Sequence, residues 1–168
     1  AGQTLTETFS VSALDGTTSS VTVTINGSND AAVLSSGSGV VAEDGSLTTG
    51  GTLTISDADS GQASFTAQAA TAGSFGTFTL DAAGAWTYAL NNGAAAVQAL
   101  GAGQTLTETF AVAAVDGTTS SVTVTINGSN DAAVLSSGSG AVTEDGSLTT
   151  GGTLTISDAD AGQASFTA

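Results

Sequence analysis

The feature that most constrains this chain is a repeat. Residues 21–25 (VTVTI) followed by 26–32 (NGSNDAA) return unaltered at 122–126 and 127–133, a shift of 101 residues. Residues 1–67 and 102–168 differ at six positions only: Ser10/Ala111, Ser12/Ala113, Leu14/Val115, Val40/Ala141, Ala42/Thr143 and Ser60/Ala161. Every acid in the overlap is retained. Self-similarity at a fixed period marks units that fold alike and stack in series. VTVTI alternates apolar and hydroxyl residues at period 2, the pattern of a strand with one buried face. The Asn-Gly that follows accepts positive φ and breaks the strand, and Asn29 and Asp30 then supply an amide and a carboxylate together. Such a strand and connector predict a junction between tandem β-domains. The expected division is 1–27, the C-terminal strands of a preceding repeat; 28–128, one complete repeat; and 129–168, the N-terminal strands of a following one. Ala1 falls inside a strand-like pattern, so the sequence reads as an excerpt of a longer array.

The complete repeat predicts seven short strands, at residues 32–42, 52–56, 63–69, 77–80, 85–90, 105–115 and 121–126. Residues 81–84 form a hairpin turn between the fourth and fifth, and 94–100 favour a helical turn that Gly101 ends. Seven short strands in about 100 residues, punctuated by Gly, Asn, Asp and Ser, predict an all-β sandwich. Trp86, Tyr88 and Leu90 share one strand face, as do Phe78 and Leu80. An aromatic stripe can be a sugar platform, but a lone Trp in a sandwich is expected to plug the core between its sheets.

Charge then narrows the function. The 168 residues include 15 acids and no Lys, Arg, His or Cys. Clustered acids therefore repel unless a dissolved cation joins them. Neither nucleic acid nor membrane insertion is expected, since binding nucleic acid or an anionic membrane surface needs basic residues. Lack of Cys excludes disulfides and thiolate zinc sites, and no apolar run approaches the roughly 20 residues of a membrane helix. For catalysis only a carboxylate pair is available. Acids duplicated at a 101-residue spacing fit a lattice of junctions better than an active site, so the chain reads as non-catalytic.

Strand direction alternates in a sandwich, which places the acids at its two ends, the N-terminal end of the complete repeat being the top. Asp57 and Asp59 follow the second strand and Asp116 the sixth. With Asn29 and Asp30 of the connector, all five are expected at the upper junction. Glu43 and Asp44 follow the first strand to the bottom. There the expected set is Glu43, Asn130, Asp131, Asp158 and Asp160. Several oxygens without a basic residue suit Ca²⁺, which takes six to eight oxygen ligands, better than Mg²⁺, which keeps its waters. Glu7 and Glu108 share a strand face with apolar neighbours. Each is expected either at the core rim, within reach of a cation, or turned to solvent by a β-bulge. Asp81, in the hairpin turn, reads as a solubilising charge. A helix-loop-helix calcium loop fails because Gln68 stands where a bidentate acid is required, and the Gly-rich nonapeptide of calcium β-rolls is absent.

These residues also resemble a family. FSVSALDG at 9–16, then VTVTI and NGSNDAAV, look like the last two strands and linker of bacterial cadherin-like repeats of the VCBS type. EDGSLTTGGTLTISDADSGQASF at 43–65 and GTFTLDAAGAWTYAL at 76–90 look like the remainder. The resemblance spans the whole chain. It implies tandem immunoglobulin/cadherin-like sandwiches with Ca²⁺ between them, in large secreted bacterial adhesins of the RTX type. By motif, Asn29 and Asp30 match the linker Asn-Asp, Asp57 and Asp59 the Asp-x-Asp element, Asp116 the acid closing the penultimate strand, and Glu43 the acid after the first strand. Gly27 replaces the linker's first Asp, Ala31 its second Asn and Ala32 its Pro, which implies one or two ions per junction rather than three.

The function expected is a calcium-stiffened extender of a surface adhesin or extracellular fibre, as in a biofilm, with its own neighbouring repeats as partners. Each unit would add roughly 40 Å, from strands of about ten residues rising ~3.3 Å each. The alternative is a glycan- or ice-binding module using Thr-rich strand faces. The two partial repeats belong to opposite ends of one design, so head-to-tail self-association is a further expectation.

Overall fold

The computed structural model describes residues 2–167. In chain order its strands are β1 (Thr4–Ser12), β2 (Thr18–Asn26), β3 (Val33–Leu34), β4 (Gly37–Ala42), β5 (Thr48–Thr52), β6 (Ile55–Ser56), β7 (Gln68–Ala72), β8 (Gly76–Leu80) and β9 (Ala85–Leu90). A short helix α1 (Ala95–Gln98) precedes β10 (Thr105–Ala113), β11 (Thr119–Asn127), β12 (Val134–Leu135) and β13 (Ile156–Ser157). The protein is all-β, as its alternating strands predict.

Two sheets enclose one core. β10, β11 and β4 form the first, with β4 parallel to β11, and β5, β9, β8 and β7 form the second. Phe78 of β8 stacks on Phe110 of β10 with ring centroids 4.8 Å apart, across the space between the sheets. Val41, Trp86, Tyr88, Val122, Val124 and Ile126 pack in the same cluster, which Val97 and Leu100 close at one end. Trp86 and Tyr88 are buried and present no ring face to solvent, so the aromatic stripe is core and no sugar platform. The outward faces carry Thr pairs across strands, such as Thr79 with Thr87 at 2.6 Å and Thr109 with Thr123 at 3.2 Å.

The first predicted strand, 32–42, is in fact two. β3 pairs with β6, and after Ser35–Ser36 the chain crosses to the other sheet, where β4 runs along β11. Periodicity cannot reveal this, because both halves alternate and only the partner changes. The second expected strand, 52–56, covers β6 and only the last residue of β5, which begins earlier, at Thr48. The Gly50–Gly51 pair argues against a strand on propensity. It is tolerated because Trp86 lies against it, and a Cβ at Gly51 would meet the indole at 3.1 Å. Gly37 and Gly39 of β4 make room for the same ring from the opposite sheet. The third strand lies later than expected, at β7, while Phe65 makes only an isolated bridge to Ala114. The hairpin at 81–84 forms as expected: Asp81 Oδ1 accepts the N–H groups of Ala83 and Ala85, and Gly84 takes φ 95°.

Outside this core lie β1 with β2 and β12 with β13, each an isolated two-stranded pair.

Candidate metal centre

The parallel pairing of β4 with β11 places the acids. Both strands end together, Ala42 beside Asn127, and the Glu43 N–H donates to the Asn127 carbonyl at 2.9 Å. The Glu43 side chain thereby lies beneath the connector that leaves β11. It is 2% exposed; Oε2 accepts the Ser129 N–H at 3.3 Å and Oε1 the Gln98 amide at 2.9 Å. Asp44 follows at φ 51°, the left-handed region that Asp tolerates. Asn92 holds it by two hydrogen bonds. From the far side come Asp131, whose N–H donates to Asp160 Oδ2 at 3.0 Å, and Asp158, whose Oδ1 accepts the Asp160 N–H at 2.9 Å. Asn130 turns its amide nitrogen onto the Asp131 carbonyl.

Among the described residues, Glu43, Asp44 and Asp131 are the one group of three carboxylates whose oxygens all lie within 4.8 Å of one another. Two buried oxygens beside them, Asp131 Oδ2 and Asp160 Oδ1, have no hydrogen-bond partner. A buried carboxylate oxygen without a donor is costly, and no basic side chain exists in the sequence to serve it. The donor set is hard, anionic and drawn from both sides of the connector, which fits a divalent cation of the Ca²⁺ class.

Two of these hydrogen bonds recur 101 residues earlier, Asp30 N–H donating to Asp59 Oδ2 and Asp59 N–H to Asp57 Oδ1, and Ala32 N–H donates there to Asp116 Oδ2. Asn29 turns onto the Asp30 carbonyl as Asn130 does onto that of Asp131. Asp57 Oδ2 is again buried without a partner.

A family model described as a bacterial cadherin-like domain matches residues 29–128. The chain belongs to that family. Comparison with curated proteins finds no match. In this cadherin-like protein the acids expected at the lower junction are brought together, with Asp44 added to them. Sequence reasoning carried Asp44 to the same end without making it a ligand; its signal was the Glu-Asp-Gly turn. The supporting amides of Asn92, Gln98 and Gln163 left no signal, because Asn and Gln in a loop read as turn and surface residues. Gln163 Nε2 donates to Asp160 Oδ2 at 3.0 Å, and Ala161 N–H donates to the Ala99 carbonyl beyond α1.

Glu108 finds its partners elsewhere in the cadherin-like core. Its two oxygens accept the Phe75 N–H at 2.6 Å and the Tyr88 hydroxyl at 2.8 Å. Gly73 leaves the space, since a Cβ there would stand 2.7 Å from the carboxylate. The β10–β11 register is unbroken from Thr105 to Ala113, so no bulge turns Glu108 out, and no cation is needed to explain its burial. The tyrosine keeps its proton, its pKa pushed well up by burial and by the Glu108 carboxylate. Glu7, the counterpart in β1, is exposed.

Burial raises the pKa of Glu43, and the charges of Asp131, Asp44 and Asp160 raise it further against the Ser129 N–H, which lowers it. Asp131 is raised by burial first, then by Asp44 and Asp160. Asp116 is lowered, by the N–H groups of Ala32 and Thr118. A carboxyl whose pKa rises on folding binds its proton more tightly in the folded state, so stability falls as pH climbs through the raised value. Asp116 acts oppositely, and its contribution is lost only as pH falls below the ordinary 3.8. Thermal melts of the metal-free chain should therefore show a midpoint that declines as pH rises above 4.5, the ordinary value for Glu43. A midpoint that climbs with pH from there to neutrality would show that the junction acids do not repel.

Proposed function

We propose that this chain is part of a calcium-stiffened extender, in which cadherin-like repeats divided at about residues 28 and 129 are held in line by Ca²⁺ at each junction. The observation that carries the reading is the lower junction. Glu43 and Asp44 from one repeat and Asp131, Asp158 and Asp160 from the linker and the next meet there with two unpartnered buried oxygens and no base. A cation bound between two units restricts the angle between them, which is what a spacer needs and an enzyme does not. Near-identical repeats suit the same task, because each copy adds reach without a distinct site. Bacterial cadherin-like domains belong to extracellular and surface proteins and typically bind Ca²⁺, which agrees with a place in the stalk of a secreted adhesin. Among the described residues no helix is long and apolar enough to cross a membrane.

The test is calorimetric titration with Ca²⁺ of the chain and of its Asp131→Asn/Asp160→Asn variant, with Asp81→Asn as control. The double variant keeps the side-chain shape but removes two charges, and should lose the lower-junction ions. Asp81→Asn should lose none. Equal stoichiometry in all three would end the assignment.

A further inference from the structure

α1 is short but well anchored: Val97 within it and Leu100 just beyond it are buried in the core. The helix is capped at Ala99, and a helix end leaves its last carbonyls without partners inside the helix. The Ala99 carbonyl is taken across the junction, by the Ala161 N–H at 3.1 Å. Gly101 is also buried, and a Cβ there would stand 2.8 Å from Gln163 Nε2 and 3.7 Å from the carboxyl carbon of Asp160. The linker lies on the same turn. Gly128 N–H donates to the Gln104 carbonyl at 2.9 Å, Gln104 Oε1 accepts the Gly101 N–H at 3.1 Å, and a Cβ at Gly128 would run into the Leu100 and Gly101 carbonyls. The loop that arrives has a shape of its own. Gln163 N–H donates to the Asp160 carbonyl and Ser165 N–H to that of Gln163, with Gly162 at φ 81°. In the complete repeat Gln62 donates to Asp59 and Ser64 to Gln62, with Gly61 at φ 82°, so this loop is a feature of the repeat itself. Ser60/Ala161 is one of the six positions at which the repeats differ, and a backbone N–H is indifferent to that exchange.

We infer that the turn from Ala99 to Gln104 is a metal-free pivot, a seat for the 158–163 loop of the following repeat that stays engaged without Ca²⁺. The groups that meet there are a carbonyl, an N–H and two glycines, none of them among the three clustered carboxylates Glu43, Asp44 and Asp131. Removing a cation therefore takes nothing from the contact itself. A single point of contact leaves rotation about it, and the acids beside the turn set that rotation. Without a cation they repel and swing the following repeat about the pivot; with one they draw it in. The seat keeps the units together, and the ion fixes their angle. The same contact explains Gly101 and Gly128. Neither takes a positive φ, so close approach of the backbone, and not conformational freedom, is what requires glycine at both. The pivot rests on the reading of stacked repeats proposed above, but not on its cation.

Amide hydrogen exchange of the whole chain, followed residue by residue by NMR with Ca²⁺ and with chelator, tests this. Ala161 is exposed, so its hydrogen bond to Ala99 is what protects its N–H. In the wild type that N–H should exchange about tenfold more slowly than an unprotected amide, in both conditions. Gly101→Leu, which displaces Gln163 and Asp160, and Gly128→Ala, which lifts the linker, should each bring it back to within about twofold of the unprotected rate. The amides of Val122 and Val124, in the middle of the first sheet, should stay protected in both variants and so show that the core is intact. Unprotected exchange of Ala161 in the wild type overturns the inference, as does protection that appears only with Ca²⁺ or that survives both substitutions. Protection in both conditions, in a chain that binds no Ca²⁺ in the calorimeter, upholds the pivot and ends the calcium reading alone.

Discussion

Ca²⁺ added to the metal-free chain should raise the thermal midpoint and lengthen the molecule. A ligand bound only by the folded state stabilises it by mass action, about 2.7 kcal/mol when free ligand is a hundred times the dissociation constant. For a unit of about 100 residues each kcal/mol moves the midpoint by roughly 4–8 °C, so a rise on the order of 10–20 °C is expected. The gain has two physical sources here. The mutual repulsion of Glu43, Asp44, Asp131 and Asp160 is replaced by attraction to a common ion, and the orphaned oxygens of Asp131 and Asp160 acquire a partner. Because the ligands come from both sides of the connector, the same ion also narrows the range of angles between the units. Small-angle scattering should therefore give a larger maximum dimension with Ca²⁺ than with chelator. Superimposable profiles and an unmoved midpoint would remove calcium from the mechanism.

The second large effect needs no metal. Phe110→Ala should cost about 3–5 kcal/mol, the range for emptying a buried aromatic site, because Phe110 stacks on Phe78 at 4.8 Å and tilts against Tyr88 at 5.8 Å. Phe9→Ala should change the midpoint by little, within about 0.5 kcal/mol in dilute solution, as exposed substitutions do. The two residues occupy the same place in the same sequence motif, Thr-Glu-Thr-Phe, and in the same strand register. Chemical denaturation of the two variants side by side measures the difference. Comparable losses would mean that the β1–β2 pair is packed in solution, and similarly small losses would mean that Phe110 is not a core residue.

That comparison separates what is local from what is not. Alternation of Val, Ile and Thr at period 2 is a property of a few residues, and it placed β9 and β10 closely and found the hairpin at Asp81–Gly84 and the turn of α1. The repeat located the connectors, and the absence of every basic residue turned scattered acids into candidates for one cation. Strand direction then sufficed to bring Glu43 and Asp131 to the same end. The division of the first strand into β3 and β4 was beyond reach, because crossing from one sheet to the other at Ser35–Ser36 leaves the alternation intact. The partners of Glu108 were equally hidden, since a Phe75 N–H and a Tyr88 hydroxyl approach it only once the two sheets are packed.

By itself, then, the sequence determined that the chain is all-β, which strand ends carry acid, and that any charge compensation must come from a dissolved cation or another molecule. Periodicity, turn chemistry and composition act over a few residues and survive in any context. Only the tertiary structure decided that a Phe75 N–H and the Tyr88 hydroxyl meet the Glu108 carboxylate, and that Asp44 joins Glu43 and Asp131. Those outcomes depend on what lies across the sheet. The residues of β10 and β11 have β4 and the aromatic layer against them.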